Sequence, residues 1–365
     1  MRKKMLATVL ALVMTSALLG GCGSGGDSGT NTQEPAAAQS GAAEDTEDAA
    51  GTADTAGGSA GSIAGDGLEK TGSIDDIKDA SVKIGCSWMD LTTEYQANLQ
   101  KSLIAECEQN YPNVELIHVD GGSDAANQVS QVENLVAQGV DAILMVPYDR
   151  NGCVPAVEAA ASAGIPMIEL CQETDSPLRT SFVGSYHYES GEIAMQALAD
   201  HMNGTGKVVF LEGPIGQDSA LARIEAGKAV LENYPDIELV TEKVCDWDRA
   251  AAMAAVENII QSGMDFDMIY SSSDSMAMGA LEALKGTDKE GKVAVIGIDL
   301  IKDAMDSIKA GEMYGTAFQV FPRQATVGME VAVRAALGEQ IYETYAIPFE
   351  LVTAENVAEY EWVYE

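Results

Sequence analysis

The chain has 365 residues, 46% of them hydrophobic, and a formal net charge of −36. That length and apolar content can bury one large core or two modest ones. So acidic a surface repels nucleic-acid phosphates and anionic lipid headgroups, which excludes electrostatically driven nucleic-acid binding, and its plain effect is solubility.

Residues 1–22 have the order of a secretory leader. MRKK supplies the basic start, MLATVLALVMTSALL the apolar run, and Gly20-Gly21-Cys22 the small residues at a cut. The apolar run is short for a membrane-spanning helix. Leu19-Gly20-Gly21-Cys22 resembles the bacterial lipobox, whose cysteine becomes the lipidated N-terminus. Acylation with two or more chains anchors a protein stably. A lipid anchor at Cys22 and an extracytoplasmic, membrane-held chain are therefore expected. Residues 23–80 then turn to Gly, Ala, Ser, Thr and acid with almost no branched apolar residue, so a flexible acidic tether is predicted there.

With Cys22 assigned, Cys86, Cys107, Cys153, Cys171 and Cys245 remain. Their number is odd and no CxxC or zinc-like spacing occurs, so neither a disulfide framework nor a metal site is indicated. His118, His187 and His201 fall in separate segments and read as surface or packing residues.

From Ser81 onward, apolar strands alternate with amphipathic helices. VKIGCSW, VELIHVD, DAILMVPY, IPMIELC and FVGSY read as strands buried on both faces, with helices over EYQANLQKSLIAECEQN and AANQVSQVENLVAQG between them. The rhythm repeats in KVVFLEG, IELVTEKVCD, DMIYSSSD, KVAVIGID and YGTAFQV, with helices over DRAAAMAAVENIIQSG and SMAMGALEALKG. Two such series predict an α/β chain of two doubly wound parallel-sheet lobes.

Ligands of open α/β sheets sit beyond the carboxyl ends of the strands. In the first series those ends carry Trp88, Asp90, Tyr148, Asp149, Cys171 and Gln172; in the second they carry Asp246-Trp247-Asp248, Ser273 and Asp299. Polar groups and a large aromatic therefore point at the same crevice. Asp299 also precedes a helix, so it could cap that helix as well. No HExxH helix or EF-hand loop is present, and no GxSxG pattern falls between a strand and a helix, as a nucleophile elbow requires. Gly204-Thr205-Gly206-Lys207 leads into a strand and lacks the spacing of a phosphate loop. No paired carboxylates are localised for glycoside hydrolysis. No enzymatic activity and no cofactor are expected.

The order and spacing of VKIG, QGVDAILMVPYD, AGIPMIEL, LEGPIGQDSALARIEAG, DWDRAAAM, SSSDSMAMGALEAL, VIGIDLIKDA and TAFQVFPRQATVG resemble the type I periplasmic binding proteins of the ribose-binding group, from Ser81 to about Thr353. The resemblance implies lobes over 81–185 with 320–347 and 186–319 with 348–365. It implies a sugar or polyol held between them and passed, by a monomer, to an ABC permease. Carried over by position, Arg223 is the donor to ligand hydroxyls and Trp247 the stacking aromatic. Ser273 stands where asparagine is common, Asp299 is the carboxylate and Gln319 the hinge-proximal glutamine. Tyr95 matches an aromatic position and Thr93 falls near an asparagine, but Glu94 replaces proline. The usual Asp-Arg after the fourth strand becomes Cys171-Gln172, with Glu169 two residues before. These departures point away from ribose itself and toward another pentose, a hexose, a polyol or a deoxy sugar. A sensing role, presenting the solute to a receptor kinase or chemoreceptor, would use the same fold. A regulator of the sugar-repressor type would instead need a DNA-binding helix pair where the leader and tether lie.

Overall fold

The computed structural model describes residues 71–364. The leader, Cys22 and positions 23–70 of the expected tether lie outside the described residues.

Short apolar runs and amphipathic helices alternate as their patterns require. In chain order the first sheet acquires β1 (Lys83–Trp88), α1 (Glu94–Asn110), β2 (Glu115–Asp120), α2 (Ala125–Ala137), β3 (Ala142–Met145), α3 (Val154–Ala163), β4 (Met167–Leu170) and β5 (Ser181–Gly184). Ser185 and Tyr186 carry the chain across to α4 (His187–His201). The second sheet follows with β6 (Thr205–Glu212), α5 (Asp218–Leu231), β7 (Asp236–Val244), α6 (Arg249–Gln261), β8 (Met268–Ser271), α7 (Asp274–Leu284), β9 (Ala294–Ile298), α8 (Lys302–Ala310) and β10 (Gly315–Phe318). Gln319 and Val320 return it to α9 (Phe321–Ala336) and β11 (Thr344–Ala346), and a third crossing leads to β12 (Glu350–Thr353).

The sheets run β11-β5-β4-β3-β1-β2 and β12-β10-β9-β8-β6-β7. All pairings are parallel except that of β12 with β10. The exception follows from the crossings. Every parallel strand ends at the crevice, so a chain crossing there enters the other lobe at its crevice end. The first two crossings lead into α4 and α9, which carry the chain back before its next strand. The third enters β12 directly, so β12 runs the opposite way. An antiparallel edge on an otherwise parallel sheet is a common arrangement.

β3, β4, β5, β8 and β10 are buried along their whole length, as continuous apolar strands should be. β2, read from its apolar residues as buried on both faces, instead forms a sheet edge and is only partly covered. Between α4 and α5 the backbones nearly touch: a Cβ on Gly191 would lie 2.5 Å from the Arg223 carbonyl oxygen. This close approach sets His187, at the start of α4, beside Arg223 on α5.

The boundary expected for the tether does not hold between 71 and 80. Ile77 is 1% exposed within the main core. Arg334 of α9 donates from Nη2 to the Ser73 carbonyl at 3.2 Å while its guanidinium pairs with buried Glu330 at 2.8 Å. Two isoleucines in a short acidic run gave no periodic signal, yet Ile77, with Ile74 and Ala80 packed beside it against the core, docks the segment. Ile77→Ala should therefore destabilise the protein by about 2–4 kcal/mol in urea denaturation. An unchanged midpoint would show that the segment packs without contributing to stability.

Candidate functional site

The carboxyl ends of both sheets converge on a cavity of about 450 Å³, counting its open side. Its lining includes Tyr95, Cys171, Gln172, Arg223, Trp247, Ser273, Asp299 and Gln319, eight of the ten residues singled out from the sequence, together with Met89, Thr93, Gln96, His187, Ser219 and Ser275.

Backbone strain gathers here. Cys171 (φ 68°), Trp247 (φ 60°) and Asp299 (φ 125°) are non-glycine residues at positive φ, a conformation that the surrounding structure has to impose. At Cys171 the Gln172 N–H donates to the Leu170 carbonyl at 2.7 Å, closing a tight three-residue turn. Trp247 follows Asp246, also at positive φ, and precedes Asp248, whose carboxylate caps α6 by accepting from the Ala251 N–H at 2.6 Å. Its indole lies over Gly213, where a Cβ would come within 2.1 Å of the ring, so that strand end has to be glycine. The indole N–H donates to Gln217 Oε1 at 2.6 Å.

Arg223 occupies the centre and is 4% exposed. Nη1 donates to the Ser272 carbonyl at 2.7 Å, and Nη2 donates to Gln319 Oε1 at 2.8 Å. The Asp299 carboxylate stands 3.6 Å from Nη2, and the guanidinium carbon is 5.8 Å from the Trp247 ring centroid. Arg223 Nε is buried with no hydrogen-bond partner in the protein, as is Gln96 Oε1. Buried polar atoms are rarely left so, and both belong to residues that line the cavity.

Asp299 does not cap α8. The helix begins after Ile301, whose N–H donates at 3.1 Å to Asp274; Asp274 also accepts from the Thr316 hydroxyl at 2.8 Å. Asp274 thus braces the β9–α8 turn and leaves the Asp299 side chain to face the cavity. Burial raises the Asp274 carboxyl to about 7. Burial also pushes the Asp299 carboxyl up, with Arg223 opposing and Asp274 reinforcing the rise. Ser273 lines the cavity while its hydroxyl accepts from the Met276 N–H at 3.4 Å.

His187 read as a packing residue, and the structure places it in the cavity wall. Its Nε2 lies 2.8 Å from the Cys171 carbonyl and its Nδ1 3.5 Å from Arg223 Nη2. A carbonyl can only accept and a guanidinium only donate, so the proton sits on Nε2 and the ring is neutral. Burial, then Arg223, lowers its pKa to about 3. Nothing in the sequence around His187 signals this, because the crossing segment alone brings it to the crevice.

Two expected residues are not at the cavity. Trp88, the last residue of β1, is 1% exposed in the core; its indole N–H donates to His118 Nδ1 at 3.0 Å. Asp90 lines only the wider outer crevice. Its Oδ1 accepts from the Thr92 and Thr93 N–H groups at 2.9 and 2.8 Å, holding its own loop. Glu169 also lies away from the cavity, accepting from the Thr174 N–H at 3.1 Å and pairing with Arg179 at 3.6 Å. Among the described residues, no cluster of His, Cys, Asp or Glu could hold a metal ion. Outside the cavity, Arg150 of the first lobe joins Asp175 of the same lobe at 2.7 Å to Asp218 of the second at 2.6 Å.

Residues 84–340 match the sequence pattern of the periplasmic binding protein domain. The xylitol-binding protein of Mycolicibacterium smegmatis is 33% identical over 246 residues, covering 67% of this chain and 70% of its own. The ribose import binding protein of Bacillus subtilis is 32% identical over 272 residues, covering 74% and 87%. Among solved structures, an ABC transporter solute binding protein from Bacillus halodurans C-125 with bound myo-inositol has a TM-score of 0.75 at 35% identity, covering 78% of this chain and 98% of that one.

The neutral His187 makes stability depend on pH in a defined direction. Its folded pKa lies below the ordinary value near 6.5, so between these limits the unfolded chain binds the extra proton. Stability from this group is full above about pH 6.5 and falls as pH drops toward 3, by about 2 kcal/mol at pH 5. The raised pKa values of Glu169, Asp274 and Asp299 act in the opposite sense. The readout is therefore the difference between wild type and His187→Gln in urea denaturation at pH 7 and pH 5. The variant should lose less stability on acidification; parallel losses would mean that His187 titrates normally in the folded protein.

Proposed function

We propose that this chain, which belongs to the periplasmic binding protein family, captures a neutral sugar or polyol between its two lobes and delivers it to an ABC importer. The observation that carries this reading is the buried, partnerless Arg223 Nε, set beside the Asp299 carboxylate and the Trp247 ring. A vicinal diol would accept from the guanidinium and donate to the carboxylate, while the indole covers a C–H face. One cation and one anion leave the charged part of the lining without net charge, in keeping with an uncharged ligand. The ligands that name the three relatives, xylitol, ribose and myo-inositol, share that chemistry.

Capture would work by closure of the lobes. The Arg150–Asp218 pair joins them at a partly exposed position, where such a pair contributes no more than about 1 kcal/mol. So weak a bridge leaves closure to be decided by the ligand. Binding of this kind requires no covalent step. The leader and lipobox-like Leu19–Cys22 support secretion and lipid anchoring at Cys22, and a monomer suffices for the task.

Titration calorimetry against pentoses, hexoses, polyols and inositols tests the reading. Asp299→Asn should weaken the best ligand by about 1.5–3 kcal/mol, roughly ten- to a hundredfold. Trp247→Ala should weaken it at least as much by exposing an apolar ligand face. Circular dichroism should show both variants folded. Unchanged affinity in both would place the ligand elsewhere.

A further inference from the structure

The first-lobe wall of the cavity contrasts with the second. Its polar side chains are largely engaged within the protein. The Tyr95 hydroxyl donates to Gln324 Oε1 at 2.7 Å. Gln172 donates to Met89 Sδ at 3.1 Å and accepts from the Ser219 hydroxyl at 3.4 Å. From the second lobe, Gln319, which accepts from Arg223, donates across to Cys171 Sγ at 3.1 Å. What remains facing the cavity at this wall is chiefly sulfur and aromatic surface, contributed by Met89, Cys171 and Tyr95. A thiol and a thioether are weak hydrogen-bonding groups that pack well against hydrocarbon. The Cys171 thiol also stays protonated, since burial pushes its pKa to about 12. Partners for ligand hydroxyls are concentrated on the second lobe, at Arg223 Nε, the Asp299 carboxylate and Ser275; on the first-lobe wall itself Gln96 Oε1, at the start of α1, is the buried cavity-lining acceptor without a partner.

We propose that the ligand is a deoxy sugar or deoxy polyol, seated with its methyl or methylene group against Met89 and Cys171 and its hydroxyls toward Arg223 and Asp299. This rests on the reading that a neutral polyol fills the cavity. A hydroxyl forced against the sulfur wall would lose water without a good replacement, whereas a methyl group there gains contact. Cys171 is the residue that sets the preference. The strained turn fixes where its side chain points.

Calorimetry on the full chain with matched pairs decides this: D-fucose with D-galactose, L-rhamnose with L-mannose, and myo-inositol as a fully hydroxylated reference. The deoxy member should bind about tenfold to a hundredfold more tightly than its parent. Cys171→Asn, which suits a left-handed backbone, should supply the missing polar partner and reduce that ratio at least tenfold. A parent sugar or myo-inositol binding more tightly than every deoxy compound would overturn the inference while leaving the polyol reading intact. So would a ratio unchanged in a folded Cys171→Asn. Should that variant fail to fold, the wild-type ratios decide alone. Absence of binding by every polyol would overturn both readings.

Discussion

A guanidinium cannot be buried between two lobes unless several elements hold it at once, because an unpaired charge there would cost more than the fold could offset. Arg223 meets that condition through the ends of β8, β9 and β10 and the first turn of α4. Ser272 supplies a carbonyl, Asp299 a countercharge, Gln319 an amide oxygen, and His187 the lone pair of a neutral ring. Two of these partners, Gln319 and His187, flank the crossings between lobes. The same charge that would meet a ligand therefore also reads the geometry of the hinge. His187 has to stay neutral for this to work, since a second cation at 3.5 Å would face Arg223 without compensation.

Around that centre the backbone gives up ordinary geometry to aim side chains. Cys171, Trp247 and Asp299 all adopt positive φ, at a cost of order 1–3 kcal/mol each. The apolar sheets behind them supply the rigidity that holds such conformations. Gly191 and Gly213 make room for the α4–α5 contact and the indole. Asp274, deeply buried, accepts from the Ile301 N–H in the turn behind Asp299 and from the Thr316 hydroxyl on β10 rather than facing the cavity. Binding chemistry in this protein is thus largely a matter of where the strands stop and of the two helices, α4 and α5, that bring His187 and Arg223 to their ends.

Much of this was legible in the sequence, for reasons that explain what was not. Continuous apolar runs such as AILM and AVIGI can only be strands in a doubly covered sheet, and the strand ends then point to Trp247 and Asp299, whereas Arg223, inside α5, was reached only through the family resemblance. β11 and β12, three and four residues long around Pro348, are too short to carry a period. Trp88 and Asp90 were misplaced because being near a strand end does not say which way a side chain turns. Trp88 faces inward onto His118, and Asp90 turns back onto Thr92 and Thr93. His187, Ser219 and Gln96 reach the cavity through long-range packing that no local pattern encodes. Ile74 and Ile77 stand in a short acidic stretch without a period, and it is the burial of Ile77 and the bond from Arg334 to Ser73 that show the folded body beginning before Ser81.

The most direct measurement of the central claim is a crystal structure of the protein grown with a polyol that calorimetry has shown to bind. The expected result is a ligand between Trp247 and Cys171, with one oxygen at hydrogen-bond distance from Arg223 Nε and another on the Asp299 carboxylate. A ligand bound outside the crevice, with Arg223 Nε still lacking a partner, would contradict it.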